Sequence, residues 1–130
     1  LLGVVMANSI KLENLKNVVR GFCVDTVDST GSYSTFFTDT QITNAINFAK
    51  GDLFANRPEA FNTDTTSSHT FVVDEPTDLA SDSDTLSVFG YAQVPLCYKA
   101  ASILLSQKGK DEFYRKAADE MLTKYIQGIS

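Results

Sequence analysis

The stretch from Thr38 to Ala60 leaves this chain little conformational choice, because it encodes the start, the buried side and the end of a single helix. Thr38, followed three residues later by Gln41, forms the S/T-x-x-E/Q capping box, in which each side chain accepts from the other residue's backbone N–H. Ile42, Ala45, Ile46, Ala49 and Leu53 then recur at helical spacing and draw one apolar stripe. Pro58 sets the limit, since the residue before a proline is pushed out of the helical region. A stripe of this kind must be covered by other elements, so the rest of the chain has to supply a packed core.

A chain of 130 residues matches one ordinary domain, a size at which roughly two thirds of the unfolded surface is buried on folding. Hydrophobic residues at 43% and charged residues at 21% are globular values and argue against wholesale disorder. The longest apolar run, Leu1 to Ala7, is too short to span a bilayer and lacks the basic flank of a complete signal peptide, so the sequence predicts a soluble protein. The net charge of −5 is unevenly spread: between Asp52 and Asp84 eight carboxylates stand against Arg57 alone. That segment would repel phosphate, and no cluster of Lys and Arg marks a nucleic-acid footprint. DNA sliding past such a surface without adhering is compatible with it. Cys23 and Cys97 have neither a CxxC spacing nor histidines nearby, and read as two buried thiols.

The spacing predicts four helices. The first is capped at Asn8 or Ser9 and runs to about Arg20, with Leu12, Leu15, Val18 and Val19 inward, Lys11, Glu13 and Lys16 outward, and Gly21 as its stop. A loop over Asp25 to Ser34 leads to the second helix, described above. Residues 62–84 read as a loop or extended segment, with Thr70 to Val73 as a short strand or arm. From about Thr85 to Gln107 apolar residues recur at helical spacing, interrupted by Pro95, where either the helix kinks or a new helix begins. Lys108-Gly109-Lys110 is a turn, and Asp111 to Gln127 forms the last helix, antiparallel to the third, with Phe113, Ala117, Met121, Leu122 and Tyr125 on one face. The expected fold is a single mainly α domain, a small four-helix bundle with an irregular acidic middle, a short arm over 1–8 and a tail over 125–130.

No catalytic frame is present. His69 sits in a Ser/Thr-rich loop without a G-x-S-x-G elbow. Asp74, Glu75, Asp78, Asp82 and Asp84 lack the D-x-D-x-D-G calcium loop and read as a solvated acidic loop. Gly51 and Gly109 belong to no phosphate-binding motif. Tyr98, Tyr114 and Tyr125 read as packing residues, since base-stacking platforms come with a basic groove. The residues alone predict a non-enzymatic helical domain without cofactor or metal.

Three features in order resemble the head-to-tail adaptor, or connector, proteins of tailed bacteriophages. Phe37-Thr-Asp-Thr-Gln-Ile is similar to their helix start, (W/F)-(T/S)-D-x-x-(I/L); Ile46-Asn-Phe-Ala follows as (L/I)-N-x-A, and Arg57-Pro-Glu-Ala60 as R-P-(D/E)-A. An intervening segment with an extended stretch comes next. Last is a helix pair built from Tyr98-Lys-Ala-Ala-Ser-Ile-Leu-Leu and Glu120-Met-Leu-Thr-Lys-Tyr125. The resemblance covers most of residues 9–127. It departs from the family in having Phe37 for Trp, an unusually acidic and serine-rich loop, and Pro95 in a helix that is more often uninterrupted.

The resemblance implies a virion protein assembled in the host cytoplasm as a homo-oligomeric ring, commonly of twelve copies, beneath the portal. Its partners would be the portal protein on one side and a stopper, nozzle or tail protein on the other, with DNA passing through the lumen and no membrane contact. Asn44, Asn47, Arg57, Glu59, Tyr125, Ile126 and Ile129 are then expected at subunit or partner contacts, the 125–130 tail ordering on the portal. Asp74, Glu75, Asp78, Asp82 and Asp84 are expected at the channel or on an inter-subunit arm. Arg57 pairs with a neighbouring carboxylate or caps the second helix through its dipole. The alternative is a small packaging-accessory or regulatory module that binds another polypeptide without catalysis.

Overall fold

The computed structural model describes residues 8–23, 37–61, 75–107 and 112–130. In chain order these form β1 (Asn8–Lys11), α1 (Leu12–Phe22), α2 (Asp39–Asn56), a 3-10 turn (Pro58–Phe61), β2 (Thr85–Val88), α3 (Gly90–Ser106) and α4 (Glu112–Gly128). The fold is mainly α, as the sequence predicts. Helix α3 packs against α1, α2 and α4, while β1 and β2 pair as one antiparallel ribbon.

Helix α2 forms as its sequence dictates. Gln41 N–H donates to Thr38 Oγ1 at 3.1 Å and Thr38 N–H to Gln41 Oε1 at 2.9 Å, so both halves of the capping box are made. Ile42, Ala45, Ile46, Ala49 and Leu53 are buried. Arg57 closes the last turn through its N–H on the Leu53 carbonyl, and Pro58 opens the 3-10 turn that buries Ala60 and Phe61.

Two segments differ from the sequence reading. Asn8 and Ser9 are not helix caps, and Thr85–Val88 does not open a helix; the two segments are strands, with Ile10 opposite Leu86 and Ser9 opposite Ser87. Leu86 and Val88 are buried by this pairing, which supplies what four-residue strands cannot supply alone. The ladder runs into the start of α1, where Leu12 N–H donates to Asp84 O at 2.8 Å, and Lys11 stands at the N-cap without a side-chain bond.

Gly21 does not stop α1, which continues through Phe22 so that this ring stacks on Tyr98 with centroids 4.4 Å apart. Lys16, expected outward, is buried with Arg20; Val18, expected inward, is 36% exposed. Pro95 lies inside α3, where it forfeits one backbone bond and adds a buried ring to the core. The expected strand Thr70–Val73, His69, Asp64, the Asp25–Ser34 loop and the Lys108–Lys110 turn fall outside the described residues.

Helices α3 and α4 are antiparallel. Gly128, ending α4, lies against Pro95 near the start of α3, and Leu105, near the end of α3, lines one groove with Phe113 and Tyr114 near the start of α4. A Cβ on Gly128 would come 2.5 Å from Pro95 Cγ, so only glycine permits this approach. Two lysines cross the pair reciprocally, Lys99 above the Tyr125 ring at 5.7 Å and Lys124 above the Tyr98 ring at 5.4 Å. Ala118 and Tyr125 are the buried residues of α4; Ala117, Met121 and Leu122 are half-buried, and Phe113, expected inward, is 67% exposed.

Candidate interaction surfaces

The acidic middle is pinned to the bundle. Lys50 belongs to the buried stripe of α2, one turn after Ile46 and three residues before Leu53, and is fully buried. Its ammonium donates to Asp78 Oδ1 at 2.8 Å, to Glu75 Oε2 at 3.2 Å and to the Pro76 carbonyl, which uses all three protons. Asn47, one turn earlier, grips the same segment: its Nδ2 donates to Leu79 O at 2.9 Å and its Oδ1 accepts from Leu79 N–H at 2.8 Å. Residues 75–79 thus form a strap whose conformation is set by side chains of α2.

The following turn is held from α1. Lys16 bridges Asp82 and, at 3.7 Å, Asp39; Arg20 pairs with Asp39 and donates to the Phe37 carbonyl. Asp39 is the first residue of α2, where a carboxylate also complements the helix dipole. Asp84 accepts from the N–H groups of Ala80 and Ser81 and from the Ser81 hydroxyl. Those bonds, the Ser81 N–H first, hold its carboxyl below the usual value. The expected channel or arm residues Glu75, Asp78, Asp82 and Asp84 therefore each have a partner within the domain; Asp74 is outside the described residues.

The expected contact residues divide between two surfaces. Asn44 is exposed on the outer side of α2, beside Phe48, which is 67% exposed. Both line a 480 Å³ recess against the strap. Asn47, at the floor of this recess, has its amide committed to Leu79 and is a structural residue.

The others gather at one end of the bundle. Arg57 Nε donates to the Ile129 carbonyl at 2.7 Å, and Glu59 Oε1 lies 3.9 Å from the same nitrogen. Tyr125 is 2% exposed and donates its hydroxyl to Asp52 Oδ2 at 2.7 Å. Burial, then the Asp52 bond, pushes the pKa of that phenol well up. Residues 125–130 are thus no detached tail: Tyr125 to Gly128 finish α4, and the burial of Tyr125 together with the Arg57 clasp on Ile129 anchors the end.

Arg57, Tyr125, Ile126 and Ile129 line a 360 Å³ cleft with Asp52 and Lys99. Sequence reasoning missed Asp52 and Lys99, which complete this cleft. Ile126, 53% exposed, lines it, while Tyr91 and Val94, near the start of α3, are 54% and 48% exposed. Partial burial raises the Tyr91 phenol pKa, and the Glu59 charge adds to the rise while Arg57 opposes it. Tyr91 and Val94 belong to the Thr85-to-Gln107 run, whose spacing alone does not mark them as exposed. Their exposure follows from the 3-10 turn, since the Phe89 N–H docks on the Ala60 carbonyl and fixes how α3 starts.

A further cavity is an apolar groove of 610 Å³ between the end of α1 and α4, lined by Phe22, Leu105, Phe113, Ala117 and Met121 among others. Cys23 and Cys97 are buried and not joined in a disulfide, and burial pushes the Cys97 thiol up to about 12. Among the described residues no group of histidine, cysteine and carboxylate side chains is placed to hold a metal ion, and no helix is long and apolar enough to cross a membrane. Comparisons with protein-family models, curated proteins and solved structures return no match.

Proposed function

We propose that this chain is a structural virion protein, a head-to-tail adaptor whose copies form a ring between the portal and a stopper or tail component. The observation that carries the reading is the convergence of Arg57, Tyr125, Ile129 and exposed Ile126 in one cleft at the end of a small helical bundle. Exposed apolar residues around an arginine make a typical protein-docking composition. The ordered motifs from Phe37 to Ala60 and the closing helix pair give this surface its assignment to the adaptor class.

In that role the acidic side of the domain, residues 75–84, faces the DNA channel, where like charge lets the duplex slide. Glu75, Asp78 and Asp82 each hold a buried lysine, so replacing them would test folding as well as charge. Ser83→Lys and Thr85→Lys add positive charge at exposed positions instead. They should slow genome ejection with assembly intact; assembly failure would make this side an interface.

The direct test is negative-stain microscopy and native mass spectrometry of the chain alone and co-expressed with the portal protein of the same genome. A ring that forms with the portal supports the adaptor. A chain that never associates with portal or tail proteins, or a tight dimer that shifts DNA on a gel, overturns it in favour of a packaging-accessory factor.

A further inference from the structure

We propose that the cleft at the Arg57–Ile129 end receives a carboxylate-bearing apolar segment of a partner protein, with the carboxylate between Arg57 and Lys99 and the apolar side chains on Leu122, Ile126 and Ile129. The inference deepens the assembly reading and rests on it for the identity of the partner; the chemistry is argued from the cleft alone.

Charge decides the sign of the guest. The chain carries −5 overall, and the buried cations among the described residues are all spent: Lys16 on Asp82 and Asp39, Arg20 on Asp39, Lys50 on Glu75 and Asp78. Lys99 differs, since no carboxylate lies within ion-pair reach of it among the described residues, and its ammonium is held only over the Tyr125 ring. Arg57 has given Nε to the Ile129 carbonyl and NH1 to Asn56 O, and Glu59 is at the loose distance of 3.9 Å. The carboxylate lining the cleft, Asp52, is engaged by the Tyr125 hydroxyl and the Asn56 amide. An incoming carboxylate thus finds two cations with donor capacity left, one of them a guanidinium suited to forked recognition.

The apolar half of the guest follows from the rim. Leu122, Ile126 and Ile129 line the cleft, Ile126 with about half of its surface in water, and Tyr91, also about half exposed, lies close enough to Arg57 and Glu59 to feel their charges. Tyrosine and arginine are the residue types over-represented where truncation costs binding most. Two cations in a strongly acidic chain are too few to grip a phosphate backbone, which favours a protein guest over nucleic acid.

The test uses the full chain, isotope-labelled for amide NMR, titrated with a short peptide alternating leucine and glutamate, with its leucine–lysine counterpart, and with a short DNA duplex. The leucine–glutamate peptide alone should shift the amides of Lys99, Leu122, Ile126 and Ile129. Lys99→Glu should weaken it by about tenfold, the loss of one charge-assisted contact. Ile126→Asp, at an exposed position, should do the same with an unchanged melting curve. Equal binding of the lysine peptide or the duplex at these amides, or no effect of either substitution, overturns the proposal. A chain that binds the acidic peptide here yet never joins a portal sinks the adaptor reading and keeps the surface. Portal association unchanged by Lys99→Glu does the reverse.

Discussion

Arg57 and Ile129, 72 residues apart, are joined by a 2.7 Å bond from the guanidinium Nε to the last-turn carbonyl, and this one contact ties the end of α2 to the end of the chain's final helix. The sequence, which suggested a neighbour's carboxylate or the dipole of its own helix for Arg57, gave no sign of this bond. Arg57→Ala should cost about 1 kcal/mol, the lower range for a charged hydrogen bond because the side chain is 43% exposed. Amide exchange should quicken from Ile126 to Ser130. Arg57→Lys should not restore it, since an ammonium lacks the fixed fork.

Two glycines in helices should respond oppositely to alanine. At Gly21 a Cβ would meet nothing within 4 Å, so Gly21→Ala should gain about 0.5–1 kcal/mol from helix propensity. At Gly128 the same Cβ would stand 2.5 Å from Pro95 Cγ, and the overpacking should cost about 1–3 kcal/mol despite the propensity gain. Urea denaturation of both variants measures the contrast; Pro95→Ala should relieve much of the Gly128→Ala loss, whereas equal gains from both glycine changes would disprove the tight approach.

Lys50 and Asn47 should carry the strap. Lys50→Met leaves Glu75 and Asp78, 46% and 72% exposed, free to be hydrated, so its cost should be modest, about 1–2 kcal/mol. Lys50→Glu buries a charge beside two carboxylates and should cost about 3–5 kcal/mol or prevent folding. Asn47→Ala removes both bonds to Leu79 and should cost about 1–2 kcal/mol. In each case limited proteolysis should reach residues 75–79 sooner than in the parent chain.

Acid and alkaline limbs have separate sources. The Asp84 carboxyl is depressed in the folded state, so its contribution is present above the ordinary value of 3.8 and is lost as pH falls through the lower folded value. Asp84→Asn should flatten the stability curve below about pH 4. Tyr125 is raised in the folded state, so its contribution is full below the ordinary value of 10.0 and is lost as pH rises beyond it. Tyr125→Phe should remove that alkaline loss and cost about 1 kcal/mol at neutral pH through the bond to Asp52. Denaturation midpoints across pH read both.

Local chemistry made α2 legible, because the Thr38–Gln41 box, the Ile42-to-Leu53 stripe and Pro58 are decided by neighbours in sequence. Strands β1 and β2 were illegible for the opposite reason. Each has four residues, and what makes them strands is a partner 78 positions away, as in the Ser9–Ser87 pair. Lys50 left a trace: a lysine on an otherwise apolar stripe requires a carboxylate from elsewhere, and the Glu75-Pro-Thr-Asp78 sequence offered two. The Arg57–Ile129 end was half legible. Arg57, Ile126 and Ile129 stood out, whereas Lys99 joins them only through the packing of α3 on α4.

The strap has no regular hydrogen-bond ladder, so its backbone places few demands on residue type; the demand comes from beneath, through Lys50. Positions 50, 75 and 78 therefore depend on one another. A lineage that loses the lysine gains nothing from keeping both acids, and one that loses both acids strands a buried ammonium. In related chains these three positions should change together, while Thr77, between them, drifts freely.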